Sequence, residues 1–418
     1  MSRKSGTGAP ILRVAAIMKP SDNGRQANGF GLLEALPHLL LLMAIFFTTF
    51  LARIILAPLL PTIQAELAIG HRSAGNLFFI LSAGYFVSLL STSYLASRFQ
   101  HRTLIIASSI GLGIALLTAP LITTIAGLRT ISFLLGLTAG LYLPSGISAV
   151  THLTRPSHWG RALAIHELAP NLAFILAPVT AELVLHYTTW RLGLAIIGSG
   201  VLLLGLLYTT HGRGTGFHGQ MPEKSAVQHL LRQPSLWLLV ALFSLGISST
   251  LGTYTMLPLY LVTNHGLDHG SANTLVAASR VATLPMAFAG GWMADRFGPL
   301  PTIRVVFLLT GFATIALGLM KGPWLQGAVF CQPLLAVCFF PAGFSALSAL
   351  YPPRYRTISV SLTVPTAFLV GAGAVPLAIG WFGDAGRFPQ AFILTGLLIT
   401  LGSGLTARLP GLKSMSFG

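Results

Sequence analysis

Tyr94-Leu95-Ala96-Ser97-Arg98-Phe99 returns 198 residues later as Trp292-Met293-Ala294-Asp295-Arg296-Phe297. Each copy closes a long apolar run and is followed by a short basic turn. The same offset aligns Ser73-Ala74 with Ser271-Ala272, Ile105 with Ile303 and Pro178 with Pro376. Similarity sustained at one long offset marks a chain built of two like halves.

Working outward from the two copies, the chain is apolar almost throughout. Of its 418 residues 53% are hydrophobic and 8% charged, where a soluble domain carries about 25% charged residues. Crossing a bilayer core takes about 20 apolar residues. Twelve such windows are found, at 38–60, 74–96, 104–122, 127–150, 162–185, 192–208, 236–262, 272–294, 303–320, 325–350, 358–381 and 391–407. They are continuously apolar, without the alternation of barrel strands, so helices are expected. The 45 Gly and 25 Pro are compatible with membrane helices. Polar segments divide the chain into an N-terminal tail (1–36), a six-helix bundle (37–210), a linker (211–234) with a short surface helix near 226–232, a second bundle (235–408) and a C-terminal tail (409–418). The expected fold is an all-α membrane protein of twelve transmembrane helices in two six-helix, pseudo-symmetric bundles. Two such halves, each with a charged hinge after its second span, have the architecture of a secondary transporter.

The formal net charge is +16, and its distribution argues for topology rather than nucleic-acid binding. Of the 25 Lys and Arg, Arg53, Arg129 and Arg280 lie inside spans, and Arg72, Arg191, Lys321 and Arg387 fall in one set of loops. The other 18 lie in the tails, the linker and the opposite loops. This positive-inside bias predicts both termini in the cytoplasm and a multi-pass protein of the cell (inner or plasma) membrane. No basic stretch is interleaved with stacking aromatics, which argues against a nucleic-acid partner. Cys331 and Cys338 have no convergent partners and are read as packing residues, not a disulfide or metal site. The first 36 residues are polar and are read as a flexible tail without a cleavable signal peptide.

Gly291-Trp292-Met293-Ala294-Asp295-Arg296-Phe297-Gly298 resembles the hinge signature of the major facilitator superfamily, and the resemblance covers essentially the whole chain. The first-half copy keeps Arg98 but has Ser93, Ser97 and Gln100 where the family has Gly, Asp and Gly. The fourth span, with Arg129, Gly136, Gly140 and Pro144, is similar to a second family signature found whatever the substrate. The resemblance implies two bundles around a central cavity, rocking between inward- and outward-open states. It also implies that Asp295 meets the N-terminus of the fifth helix near Gly160-Arg161-Ala162. A carboxylate there answers unpaired N–H groups and the positive helix end, worth about 0.3–2 kcal/mol. The counterpart contact, from Ser97 toward the eleventh helix near Thr357, would be neutral, so the expected lock is asymmetric. The alternative for Asp295 is a solvated loop acid. The family's antiporter signature is Gly-rich on the fifth span, and Asn171-Leu172-Ala173-Phe174-Ile175-Leu176-Ala177-Pro178 lacks those glycines.

Ionisable residues inside a membrane are functional candidates by default. Of nine acids only Glu167 lies well within a span, and of twelve histidines only His166. Adjacent helical residues point about 100° apart, so one is expected to face the cavity and the other the bundle. Asn171 is one turn deeper on the Glu167 face. The three are read as a proton-coupling group, the competing reading being a fixed pair that stiffens the gate. Arg53 lies about 12 Å from the outer end of the first span and Arg280 about 14 Å from that of the eighth. A charge near the bilayer centre costs about 2.5–3.5 kcal/mol, and one deep acid cannot neutralise two arginines. An anionic substrate is the natural counter-ion, and planar guanidinium suits carboxylate. The alternative is pairing with backbone carbonyls or helix C-termini. Arg129 lies nearer the outer end of its span and can snorkel to the surface; its match to the family signature found whatever the substrate implies a structural or coupling role. Phe46, Thr49 and Phe50 share the Arg53 face and Tyr254 lies mid-span, so substrate contact is weighed against core packing for Phe46, Thr49 and Tyr254, with Tyr85 and Tyr142 as further candidates.

The expected function is therefore proton-coupled, alternating-access transport of a small carboxylate-type organic anion by a monomer that needs no cofactor or metal. Efflux of hydrophobic or drug-like compounds by proton antiport is the alternative, although cationic drugs call for more cavity acids than Glu167. A receptor would need a signalling domain longer than the linker, and an enzyme a nucleophile, metal or acid pair that the spans do not offer.

Overall fold

The computed structural model describes residues 29–221 and 223–409. The expected N-terminal tail lies outside the described residues up to position 28, and the C-terminal tail from position 410. Twelve helical rods make up almost all of the rest. Eleven are long and apolar enough to cross a membrane: Leu32–Leu67, His71–Arg98, His101–Leu121, Ile125–Leu153, Pro156–Tyr187, Trp190–His211, Pro234–His265, Pro299–Leu319, Gly322–Leu350, Arg354–Asp384 and Phe388–Arg408. The eighth in chain order consists of His269–Val281 and Thr283–Phe297, broken at Ala282, with Arg280 near its middle lowering its mean hydropathy. Each expected window falls on one rod to within a residue. The rods extend further, because backbone hydrogen bonding continues past the apolar stretch into polar ends such as His71–Ser73 and Pro156–His158. Among the described residues the only β-type pairings are isolated bridges, Phe30 with Thr154 and Gln100 with His218.

Connections within each half are short, so successive rods there are antiparallel, and with six rods per half the twelfth ends on the face where the first begins. That face is called the terminal face below. The duplication reappears as packing. In the first half the second rod packs on the fourth, the third on the sixth and the first on the fifth; in the second half the eighth packs on the tenth, the ninth on the twelfth and the seventh on the eleventh. Without a hydrophobic drive between helices in lipid, such pairs rely on small residues that let backbones approach. A Cβ on Gly136 would collide with the Leu81 carbonyl, and one on Gly84 with that of Phe133, so the second and fourth rods touch backbone to backbone. Gly140 sits against Ser88 in the same seam, and Gly113 against Gly198 joins the third rod to the sixth. Between the halves the segment after His211 folds back on the third rod, where His101 and Arg102 N–H groups donate to the carbonyls of Phe217 and Thr215. A helix, Lys224–Leu231, then leads to the seventh rod.

Across the halves the second rod packs on the eleventh, the first on the seventh through its Leu56–Leu67 segment, and the fifth on the eighth through His269–Val281. These contacts lie toward the face opposite the termini.

Candidate substrate site and gates

Arg53 and Arg280 occupy matching local structures. Arg53 is in the last turn of Leu32–Ile54, before an interruption at Ile55, and Arg280 is in the last turn of His269–Val281. Prolines cause both breaks. Pro58 and Pro285 lack the N–H that would bond the carbonyls of Ile54 and Val281, and their rings crowd those carbonyls. Both sites therefore read Arg-x-x-x-x-Pro, a parallel present in the sequence that the offset alignment conceals, since the two stretches do not align in the repeat. A helix C-terminus in mid-membrane favours a cation.

Arg53 and Arg280 are buried, 6% and 5% exposed. Arg53 lies over the Tyr85 ring at 3.7 Å, with Phe368 at 5.3 Å and Phe50 at 5.4 Å. Arg280 lies between Phe174 at 4.7 Å and Tyr254 at 4.8 Å and makes one long bond, 3.4 Å, to the Thr250 carbonyl. That carbonyl belongs to the π-helical turn Ser248–Gly252 of the seventh rod. The two cages are continuous: Phe50 meets Phe174 edge to face at 5.3 Å, and Phe174 meets Tyr254 at 4.9 Å. Cation–π contact is worth about 0.5–2 kcal/mol per cation, which leaves most of the charge uncompensated. Among the described residues neither arginine has a carboxylate partner, since the ion pairs there are His166–Glu167 and Arg191–Glu66. Four buried polar atoms here also lack a protein partner: Thr49 Oγ1, Arg53 Nε, Tyr254 OH and Arg280 Nε. Two shallow clefts of about 480 and 500 Å³ lie elsewhere, lined by residues such as Trp237 and Leu401 or Thr274 and Gln326, and hold no charged side chain.

His166 and Glu167 point apart, as expected of helical neighbours. His166 is fully buried, with its ring stacked on Phe46 at 4.5 Å and parallel to Tyr142 at 5.9 Å. Its Nε2 is 3.1 Å from the Tyr142 hydroxyl, which also lies 2.6 Å from the Leu42 carbonyl. The Glu167 side chain is 52% exposed, with Oε1 3.4 Å from His166 Nδ1. The Asn171 amide donates to the Glu167 backbone carbonyl at 3.0 Å, not to its carboxylate. The structure thus places Phe46 on the histidine rather than on Arg53, although Phe46 and Phe50 remain neighbours at 6.3 Å. The fifth rod runs unbroken through Pro170 and Pro178.

The hinge residues are apart from this cluster. Asp295 and Arg296 are exposed, and among the described residues Asp295 has no hydrogen-bond or ion-pair partner, so its expected contact with the fifth helix is not made in this conformer. Arg296 lies near the Trp292 and Phe297 rings, and Arg98 near that of Tyr94. Ser97 donates within its own helix to Tyr94 and makes no bond to Thr357. Gly298, at φ 89°, adopts the positive φ that ends the eighth rod, whereas Gly291 has only the Pro341 side chain near it. Arg129 is half-buried, with Nε unpaired.

Sequence reasoning missed the closed gate on the other face. The Asp384 carboxylate accepts from the His71 N–H at 2.5 Å and the Arg72 N–H at 3.1 Å, capping the second rod from the opposite half. Asn273 of the eighth rod donates to Glu182 of the fifth at 2.5 Å and to the Pro58 carbonyl at 3.3 Å. Thr62 and His269 meet at 3.3 Å. Nearby, Asp268 caps its own helix, and the Ser271 hydroxyl and N–H hold its carboxyl below the usual carboxylate range. These acids read as loop residues, because nothing in a sequence says which distant helix end a loop acid will meet. Phe174 and Phe368, which complete the cages, look like ordinary apolar residues of their spans.

Comparisons with known proteins bear on the fold and the family. The chain is 23% identical over 390 residues to the probable sulfoacetate transporter SauU of Cupriavidus necator, covering 86% of this chain and 90% of that one. Its fold is similar to a bacterial homologue of the human lysosomal transporter Spinster in an inward-facing, occupied conformation, with a TM-score of 0.79 at 16% identity over 91% of this chain and 97% of that one. It is also similar to a POT family transporter in complex with a thioalcohol-conjugated peptide, with a TM-score of 0.74 at 14% identity over 90% of this chain and 97% of that one. The sequence matches the Major Facilitator Superfamily over residues 42–363 and 263–411, so the chain belongs to that family and is a multi-pass membrane transporter of its type.

Proposed function

We propose that this protein moves a small organic anion across the cell membrane, with Arg53 and Arg280 as the anion-binding groups, Thr49 and Tyr254 completing the site, and His166 and Glu167 carrying a coupled proton. The observation that carries the reading is the set of unpaired buried atoms. All four polar side chains named from the sequence as substrate contacts hold a buried donor or acceptor that no atom of the described residues satisfies. Leaving a buried polar group unpaired costs about 1–3 kcal/mol, and more when it is charged. A bound anion relieves that penalty and supplies the charge two buried guanidiniums need. Two cages favour two anionic groups. The substrate named for the Cupriavidus necator relative, sulfoacetate, has one carboxylate and one sulfonate. The excess of Lys and Arg in the tails and linker supports a cytoplasmic terminal face.

The test is binding and uptake in proteoliposomes with a panel of mono- and dicarboxylates and sulfoacetate, with and without a proton gradient. Arg53→Gln and Arg280→Gln are each expected to weaken anion binding at least tenfold, since losing one partner of a buried charge pair costs about 2–5 kcal/mol. Unchanged affinity in both variants would remove the anion site. Glu167→Gln combined with His166→Asn is expected to abolish gradient-driven accumulation while leaving exchange of labelled for unlabelled anion. Retained accumulation removes the coupling role.

A further inference from the structure

Tyr142 determines which nitrogen of His166 carries a hydrogen. Its hydroxyl has one proton and two neighbours, the Leu42 carbonyl at 2.6 Å and His166 Nε2 at 3.1 Å. A carbonyl oxygen can only accept, so the phenolic hydrogen goes to Leu42. The hydroxyl oxygen is then left to accept, and Nε2 must be the donor. Nδ1 faces Glu167 Oε1 at 3.4 Å. In a neutral ring protonated at Nε2, Nδ1 presents a bare lone pair. An ionised carboxylate presents only lone pairs as well, so without a further proton two acceptors face one another.

We propose that Tyr142 locks His166 in the Nε2–H form, and that His166 Nδ1 and Glu167 Oε1 together hold one exchangeable proton. This rests on the reading of the pair as the coupling group and specifies which atoms do it. The proton arrives with its charge and sits either on Nδ1, as imidazolium beside carboxylate, or on Oε1, as carboxylic acid donating to Nδ1. No other bond is made or broken. His166 is sealed from solvent while the Glu167 side chain is half exposed, so the carboxylate is the entry port. Tyr142 is a positioning residue, because it never takes the proton.

The surroundings fit a single site. The first rod offers His166 only the Phe46 ring and, through Tyr142, the Leu42 carbonyl. The fourth rod offers Tyr142 itself, with Tyr208 of the sixth rod beyond it. The second rod offers Tyr85 within the electrostatic reach of Glu167. On that side Arg53 is stacked on the Tyr85 ring. With one acid and one imidazole at the centre, one proton satisfies the geometry.

Nitrogen-15 NMR of ring-labelled histidine in lipid bilayers tests this, with the His166 signals assigned by their loss in His166→Asn. In the wild type, Nε2 is expected to stay protonated across the titration while Nδ1 alone responds to pH. Tyr142→Phe removes the acceptor, and the neutral Nδ1–H form is then expected to appear. If that variant does not fold, Glu167→Gln serves: the amide can donate to Nδ1, so proton uptake there falls from one to none while Nε2–H persists. A wild-type ring protonated at Nδ1 only, an unchanged tautomer in Tyr142→Phe, or a wild-type-like titration of Nδ1 in Glu167→Gln would each overturn the proposal. These readouts need neither substrate nor gradient. A protein that passes them but moves no anion contradicts the transport reading alone.

Discussion

The two ends of the molecule carry similar acids in opposite circumstances. On the face away from the termini, Asp384 caps a helix of the other half and Glu182 takes a hydrogen bond across the same divide. On the terminal face Asp295 stands in the one stretch that matches the family hinge signature, yet meets no partner among the described residues. The physics is shared, a carboxylate answering the unpaired N–H groups of a helix start. What differs is which pair of rods has come together. A transporter that alternates must make the two locks exclusive, because contacts present in both states shift no population. The difference therefore identifies the conformer: closed away from the termini and unlocked at the terminal face.

The largest expected effect comes from the residues that allow the closure. A Cβ on Gly75 would collide with the Pro376 carbonyl, and one on Gly380 with the His71 carbonyl, so the second and eleventh rods meet backbone to backbone across the halves. Backbone cannot rotate aside as a side chain does. Gly75→Val is expected to oppose this closed state by about 1–3 kcal/mol, roughly tenfold or more in population. Distances between spin labels placed across the non-terminal face should lengthen while the folded yield is kept. Gly136→Val sharpens the contrast. Its collision with Leu81 lies within one half, so it should lower the folded yield and leave the balance of states alone.

Asp384→Asn comes next. It keeps an acceptor oxygen and removes the charge, and the site is exposed and screened by salt, so about 0.3–1 kcal/mol is expected. The same labels should then report a two- to fivefold loss of the closed state, largest at low ionic strength. No change at low salt would reduce Asp384 to a helix cap without a gating role.

The legible and the illegible parts of the protein follow the same division. The twelve rods were readable, because a bilayer imposes length and hydropathy on each span independently of its neighbours. Glu167, His166, Arg53 and Arg280 were readable for a related reason: in so apolar a context each ionisable residue is conspicuous. The aromatic cages were half readable. Tyr85 and Tyr254 carry a polar handle and were named, whereas Phe174 and Phe368 look like any other apolar residue until the fold puts a guanidinium against them. The closed gate was not readable at all. Asp384 and His71 are 313 positions apart, and their contact depends on the conformational state as well as the fold. Phe46 shows a finer limit. Helical spacing placed it on the Arg53 face, but it lies nearly two turns away, far enough to stack on His166 instead.

The smallest effect, and the one that bears most directly on the comparison, belongs to Asp295. It has no partner among the described residues in this conformer, so its replacement should leave the stability of this conformer unchanged. Any consequence must appear in the other state, where the terminal face closes and the start of the fifth helix near Gly160 comes within reach. Asp295→Asn should lower the population of that state by no more than about fivefold, the worth of one screened carboxylate at a helix N-terminus. The first-half hinge supplies the control. Ser97 now spends its hydroxyl on the Tyr94 carbonyl of its own helix. Ser97→Asp would restore the acid the repeat lacks and should shift the balance toward terminal-face closure by a similar factor. Labels across the terminal face distinguish the outcomes. Opposite shifts in the two variants mean that the uneven hinge sets the balance between the faces. If Asp295→Asn leaves that balance unchanged, the acid is only a solvated loop residue, and closure rests on the packing of the rods.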